Sequence, residues 1–146
     1  MTISDDATLK QILETVRTVA TVGVSSNEDK PSYGIFGYLK AHGYNMIPVN
    51  PSAATIQGGK SYADLLAIPE KVDVVQVFRK SEDVPPVVEQ AIHIGAKVVW
   101  MQEGVANEAA ARRAEGAGLQ VVMDRCMLHG SHTHAGWSRR RRVDGF

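Results

Sequence analysis

Residues 18–43 read TVATVGVSSNEDKPSYGIFGYLKAHG, and the order of events in this stretch decides the fold. Thr18 to Val24 is a strand-like run that turns on one glycine, Gly23. Two serines, a lysine and a proline follow before a helical pattern begins at Tyr33. A strand that passes through a glycine turn into a helix leaves backbone amides pointing outward at the positive end of the helix dipole, a setting suited to a phosphate group.

The same alternation continues on both sides. Upstream, residues 5–16 place Leu9, Ile12, Leu13 and Val16 at spacings of three and four, which predicts an amphipathic helix. Downstream, strand-like runs recur at Asn45 to Val49, Val72 to Phe78, Lys97 to Met101 and Leu119 to Met123, with helical patterns at Tyr33 to His42, Ser81 to Ile94 and Asn107 to Ala117. The helices after the first strand end near Gly43, Gly95 and Gly118. Short buried strands alternating with helices predict repeated βαβ units. The expected fold is therefore α/β, a doubly wound, Rossmann-like sheet of five parallel strands with helices on both faces and right-handed crossovers. Residues 51–71 break the rhythm and read as a loop with one short helix. From His129 the chain loses apolar periodicity and carries three histidines and four consecutive arginines. The expected organisation is one domain over 1–128 and a flexible tail over 129–146.

Composition narrows the function classes. A chain of 146 residues suits one domain with a proper core. Sixteen basic residues balance sixteen acidic ones, so net charge gives no reason to expect a nucleic acid or a membrane surface as partner. One cysteine, Cys126, and an N-terminus without a signal-peptide pattern suggest the cytoplasm. No apolar run approaches the roughly 20 residues that cross a bilayer.

In an open parallel sheet the ligand sits beyond the carboxyl ends of the strands. That rim is expected to hold residues 23–32, 50–59, 78–82, 102–107 and 124–126. The amides after Gly23, the hydroxyls of Ser25, Ser26 and Ser32 and the charge of Lys30 suit an anion there, although Ser32 also reads as a helix N-cap. A dinucleotide site would show G-x-G-x-x-G and an acidic residue closing the second strand. This chain has a lone Gly23, and Asn50 and Pro51 end that strand. The Walker pattern is missing too. The expected ligand is a phosphate-bearing nucleotide of another kind.

Five stretches in order, GVSSNEDKPSYG, YNMIPVNP, VDVVQVFR, GAKVVWMQEGV and GLQVVMDRC, resemble the small stand-alone coenzyme A-binding proteins, whose fold is shared with the coenzyme A-binding domain of the succinyl-coenzyme A synthetase α subunit. The resemblance covers residues 5–128. It implies coenzyme A or an acyl-coenzyme A as ligand. By the same resemblance, Gly23, Val24, Ser25 and Ser26 match the phosphate loop, and Lys30, Pro31 and Ser32 its second half. Asn50 and Pro51 border the adenosine. Phe78 and Arg79 end the third strand, and Gln102, Gly104 and Val105 form the turn along which the pantetheine arm is expected to run. Arg79 and Lys30 are the cations for the diphosphate and 3′-phosphate, with a surface ion pair to Glu82 or Asp83 as the alternative role for Arg79. Gln102 has capping of its own loop as its alternative. Ser52 stands where relatives often carry a lysine or arginine. Relatives also tend to continue past the Asp-Arg-Cys motif into an acidic residue followed by histidine, where this chain reads MLHGSHTHAG, so a role of that acidic residue does not carry over.

The synthetase acts through a phosphorylated histidine on a second domain that this chain has no room for, so ligase activity does not follow from the fold. Cys126, beside Arg125 at the rim, reads either as a small buried residue or as a nucleophile for acyl transfer or hydrolysis, or for a mixed disulfide with the coenzyme thiol. His129, His132 and His134 lack ordered carboxylate or cysteine partners, and no metal site is expected. NAD as ligand, a homodimer and a separate protein partner stay open.

Overall fold

The computed structural model describes residues 2–127. Within them the strands β1 (Thr18–Val22), β2 (Asn45–Val49), β5 (Val74–Val77), β6 (Val98–Met101) and β7 (Gln120–Val122) form one sheet in the order β2-β1-β5-β6-β7, every pair parallel. The chain leaves β1 for one neighbour and returns on its other side to β5. This reversal puts the switch point between the carboxyl ends of β1 and β5.

Among the described residues four helices cover the sheet: α1 (Asp6–Thr15), α2 (Pro31–Ala41), α3 (Val84–His93) and α4 (Glu108–Gly116). Strand alternation assigns them to faces. Val19, Val74, Val98 and Trp100 pack with Leu9, Ile12, Leu13, Ile35 and Leu39 of α1 and α2. Ala20, Val75, Val77, Val99, Met101 and Val121 pack with Val84, Val88, Ala110 and Ala114 of α3 and α4. The central strands are buried throughout, because helices lie on both sides and no position faces water.

The doubly wound α/β expectation holds, with shorter elements. α2 begins two residues earlier than its periodicity suggests, since Pro31 occupies the first helical position and Lys30 is the N-cap residue. Residues 81–83 form a 3-10 turn before α3. The clearest departure is in residues 51–71, which hold a hairpin of β3 (Thr55–Ile56) and β4 (Gly59–Lys60) besides a 3-10 turn at Leu65–Ala67. Gln57, at φ 50, takes a left-handed turn position that asparagine or glycine usually fills. Its Nε2 donates to Tyr33 O at 2.9 Å, and its own carbonyl accepts from Lys40 Nζ at 2.7 Å. These two bonds to α2 hold the turn.

Both sheet edges carry extra backbone. Tyr62 bridges to Val49 of β2, its N–H donating to Pro48 O at 3.1 Å, and Ile3 N donates to Val121 O of β7 at 2.8 Å. At the amino edge, Asp73 Oδ2 accepts from Arg17 N at 2.9 Å and Thr18 N at 3.0 Å. Burial pushes this carboxyl up, but the two N–H groups and the charges of Lys97 and Lys71 outweigh it and hold it below its ordinary value. A depressed carboxyl contributes stability that is full above its unfolded value and is lost as the pH falls through the folded one. Asp73→Asn keeps an acceptor but loses the charge, so it should cost about 1 kcal/mol at neutral pH and flatten the acid side of the stability profile. Urea unfolding across the acid range checks both.

Candidate functional site

The switch point is built on Gly23. Its N–H donates to Val49 O at 3.0 Å, joining β1 to β2, while Phe78 N donates to Val22 O at 2.8 Å, joining β1 to β5. At φ +88 a Cβ on Gly23 would stand 2.4 Å from the carbonyl oxygen of Phe78. Only a residue without a side chain lets the two strand ends close this tightly.

The loop beyond folds on its own polar groups. Ser25 N donates to Ser32 Oγ at 2.9 Å, Asn27 N to Ser25 Oγ at 2.9 Å and Asp29 N to Asn27 Oδ1 at 2.9 Å. Ser32 is thus not the N-cap. It sits in the first turn of α2, fully buried, and ties the loop back to the helix start. The N-cap residue, Lys30, makes no side-chain capping bond, so the end of α2 keeps the electrostatic character of an anion site. Ser26 and Lys30 are exposed on the loop, and Val24 is buried beneath it.

Asn50 is spent on architecture. Its Nδ2 donates to Val24 O at 2.9 Å, and its Oδ1 accepts from Ser52 N at 2.8 Å. The side chain therefore fixes the loop after β2 against the loop after β1, and Pro51 follows, exposed. Phe78 is buried in the core under α1 and α2. Arg79 turns the other way, lining a cleft of about 140 Å³ with Val22, Val49, Ala63, Pro86 and Val87, whose polar wall is Asp64 and Gln90. Among the described residues no ion pair joins Arg79 to Glu82 or Asp83.

The turn after β6 is held from two sides. Gly104 N donates to Asp124 Oδ1 at 2.6 Å. Val105, fully buried, exchanges backbone bonds with Gln102 and Asp124. Gln102 is buried as well, its Oε1 accepting from Gln76 Nε2 at 3.1 Å and Met127 N at 3.3 Å. Ser81 links neighbouring loops, its Oγ accepting from Ala106 N at 3.0 Å and its carbonyl from Asn107 Nδ2 at 2.9 Å. Sequence reading passed over Ser81 as a residue of the site, because a serine opening a helix after a strand reads as local capping; its partners lie 25 and 26 residues away.

Cys126 is 2% exposed and packs among Trp100, Val122 and Met127. Its neighbour Arg125 extends to Ser4 O at 3.2 Å, and Trp100 Nε1 donates to the Arg125 carbonyl at 2.8 Å. The bland packing role is the one the surroundings favour. His129, His132, His134 and the arginine run lie outside the described residues. Among the described residues no cluster of histidine, cysteine and acidic groups suits a metal, and no helix is long and apolar enough to cross a membrane.

A parallel sheet with its reversal at β1 and β5, a glycine turn at that point and loops gathered on one edge define an open doubly wound α/β domain, a class in which ligands sit beyond the carboxyl ends of the strands. A family model described as a CoA binding domain matches residues 17–131, and the chain belongs to that family. It is 36% identical over 121 residues to the uncharacterized protein YneT of Bacillus subtilis, spanning 83% of this chain and 90% of that one. A hypothetical protein from Pyrococcus horikoshii superposes with TM-score 0.85 at 38% identity, covering 87% of this chain and 89% of the other. A version of the protein PH1109 redesigned for binding gives TM-score 0.87 at 34% identity, with 92% and 99% covered. An ADP-forming acetate–CoA ligase of Archaeoglobus fulgidus is 33% identical over 95 residues, which is 63% of this chain and 14% of the ligase.

Proposed function

We propose that the chain binds coenzyme A or an acyl-coenzyme A at the carboxyl edge of its sheet and carries no ligase activity of its own. The observation that carries this reading is the Gly23 turn, pinned between Val49 and Phe78 and opening onto the start of α2 without a side-chain cap. The diphosphate takes the amides of Val24 and Ser26 and the charge of Lys30, the Ser25 amide being bonded to Ser32. The adenine takes the cleft floored by Val22 and Val49, where apolar walls suit a flat base and Asp64 and Gln90 offer polar contacts at its edge. Arg79 takes the 3′-phosphate, and the pantetheine arm runs past Gln102, Gly104 and Val105.

The remaining 86% of the Archaeoglobus ligase, unmatched by this chain, is where the ligation chemistry of such an enzyme is expected to reside. NAD gains no support, since the amide of Asn50 is already committed to Val24 and Ser52. Acyl transfer by Cys126 gains none either while its side chain stays among Trp100 and Met127. A cytoplasmic location agrees with a coenzyme A ligand and a lone thiol.

Isothermal titration checks the reading. Coenzyme A should bind with micromolar affinity, as expected for several charge-assisted contacts, and NAD should fail to compete. No heat with coenzyme A, acetyl-coenzyme A or a longer acyl form at millimolar ligand would overturn it.

A further inference from the structure

Three buried polar side chains cross the sheet just below its ligand edge. Thr21 Oγ1 donates to Gln76 Oε1 at 2.8 Å, and Gln76 Nε2 donates to Gln102 Oε1 at 3.1 Å. All three are fully buried, on β1, β5 and the residue after β6. Such groups are costly inside a core unless their bonds are complete. This row is complete except at its last atom: Gln102 Nε2 is buried and has no hydrogen-bond partner among the described residues.

The orientation of Gln102 is set by its neighbours. Its Oε1 takes two donors, Gln76 Nε2 and the backbone N–H of Met127. Turning the amide over would bring Nε2 against both and leave donors facing donors. With Gln102 fixed by the Met127 N–H, Gln76 turns its Nε2 to Gln102 and its Oε1 to the Thr21 hydroxyl, and the row ends in an N–H at the turn after β6 that has no partner among the described residues.

We propose that the row is an orientation lock, in which Thr21 and Gln76 are positioning residues that never touch the ligand yet hold Gln102 Nε2 as a donor for an acceptor supplied from outside the chain. The proposal rests on the coenzyme A reading and names its recognition element. The pantetheine arm carries two secondary amides with carbonyl acceptors and in this reading passes the turn after β6, whereas the nucleotide's own acceptors, its phosphate oxygens and ring nitrogens, lie at the Gly23 loop and in the cleft lined by Arg79. The lock therefore makes the site select the arm rather than the nucleotide.

Titrating coenzyme A and 3′-phospho-ADP, which lacks the arm, into wild type and variants tests this. Wild type should prefer coenzyme A. Thr21→Val and Gln76→Met should weaken coenzyme A by about tenfold, the scale of one well-made hydrogen bond, and 3′-phospho-ADP by less than twofold, while Thr21→Ser, which keeps the hydroxyl, should restore the preference. Gln102→Met, close in length, removes the donor, so it should lose the preference as well. Thermal unfolding of each variant separates this from loss of fold. Equal weakening of both ligands, or unchanged affinity for both, overturns the lock and leaves the coenzyme A reading standing. A wild type that binds neither ligand overturns both.

Discussion

Gly23→Ala should lower the stability of the chain by about 2–4 kcal/mol and abolish coenzyme A binding. The left-handed backbone alone costs an L-residue roughly 1–2 kcal/mol. The rest comes from the methyl group, which would enter 2.4 Å from the Phe78 carbonyl oxygen. Relief by movement is blocked, since Gly23 N is bonded to Val49 O and Val22 O to Phe78 N, so the strand ends on both sides would have to part. A shift of about 10 °C in the thermal midpoint is the expected scale for a chain of this size. Gly43→Ala is the control. Its φ is +96, but a Cβ there meets nothing within 4 Å, so it should cost about 1 kcal/mol and leave coenzyme A affinity unchanged. Circular dichroism melts with titration of both variants check the pair, and equal behaviour would remove Gly23 from the ligand site.

Arg79→Ala should weaken coenzyme A by about 30-fold and 3′-dephospho-coenzyme A by less than threefold. A charge-assisted hydrogen bond to a phosphate contributes about 1.5–3 kcal/mol, and Arg79 lines the cleft with its Cδ beside Gly23 and without an ion-pair partner among the described residues. Titration with the two ligands decides it. Equal losses would move Arg79 to the diphosphate, and no loss would take it out of the site.

The sheet was legible because its strands are runs of valine, isoleucine and alanine too short for a buried helix, set between helices of clear period. What stayed hidden depends on partners far along the chain. Ser32 looks like a cap from its neighbours, and its role as acceptor for Ser25 appears only once the loop has folded back. The hairpin at 55–60 escaped notice because Gln57 is a poor turn residue, tolerable through bonds to α2. Thr21 and Gln76 pass as ordinary strand residues, since alternation shows which face a side chain takes but not that three of them meet in a row. Even among the residues singled out by resemblance, Asn50 proves to hold two loops together, and Lys30 stands exposed on its loop. A motif marks where a residue falls, and its bonds decide what it does.

The two borders of the sheet constrain how copies of this chain meet. Tyr62 occupies part of the outer side of β2, and Ile3 takes a carbonyl of β7. Joining two sheets edge to edge would have to displace these segments first, at the cost of bonds already made. Self-association of this protein should therefore proceed through helix surfaces or loops, and crowded solutions of it should resist growth into continuous cross-strand fibres.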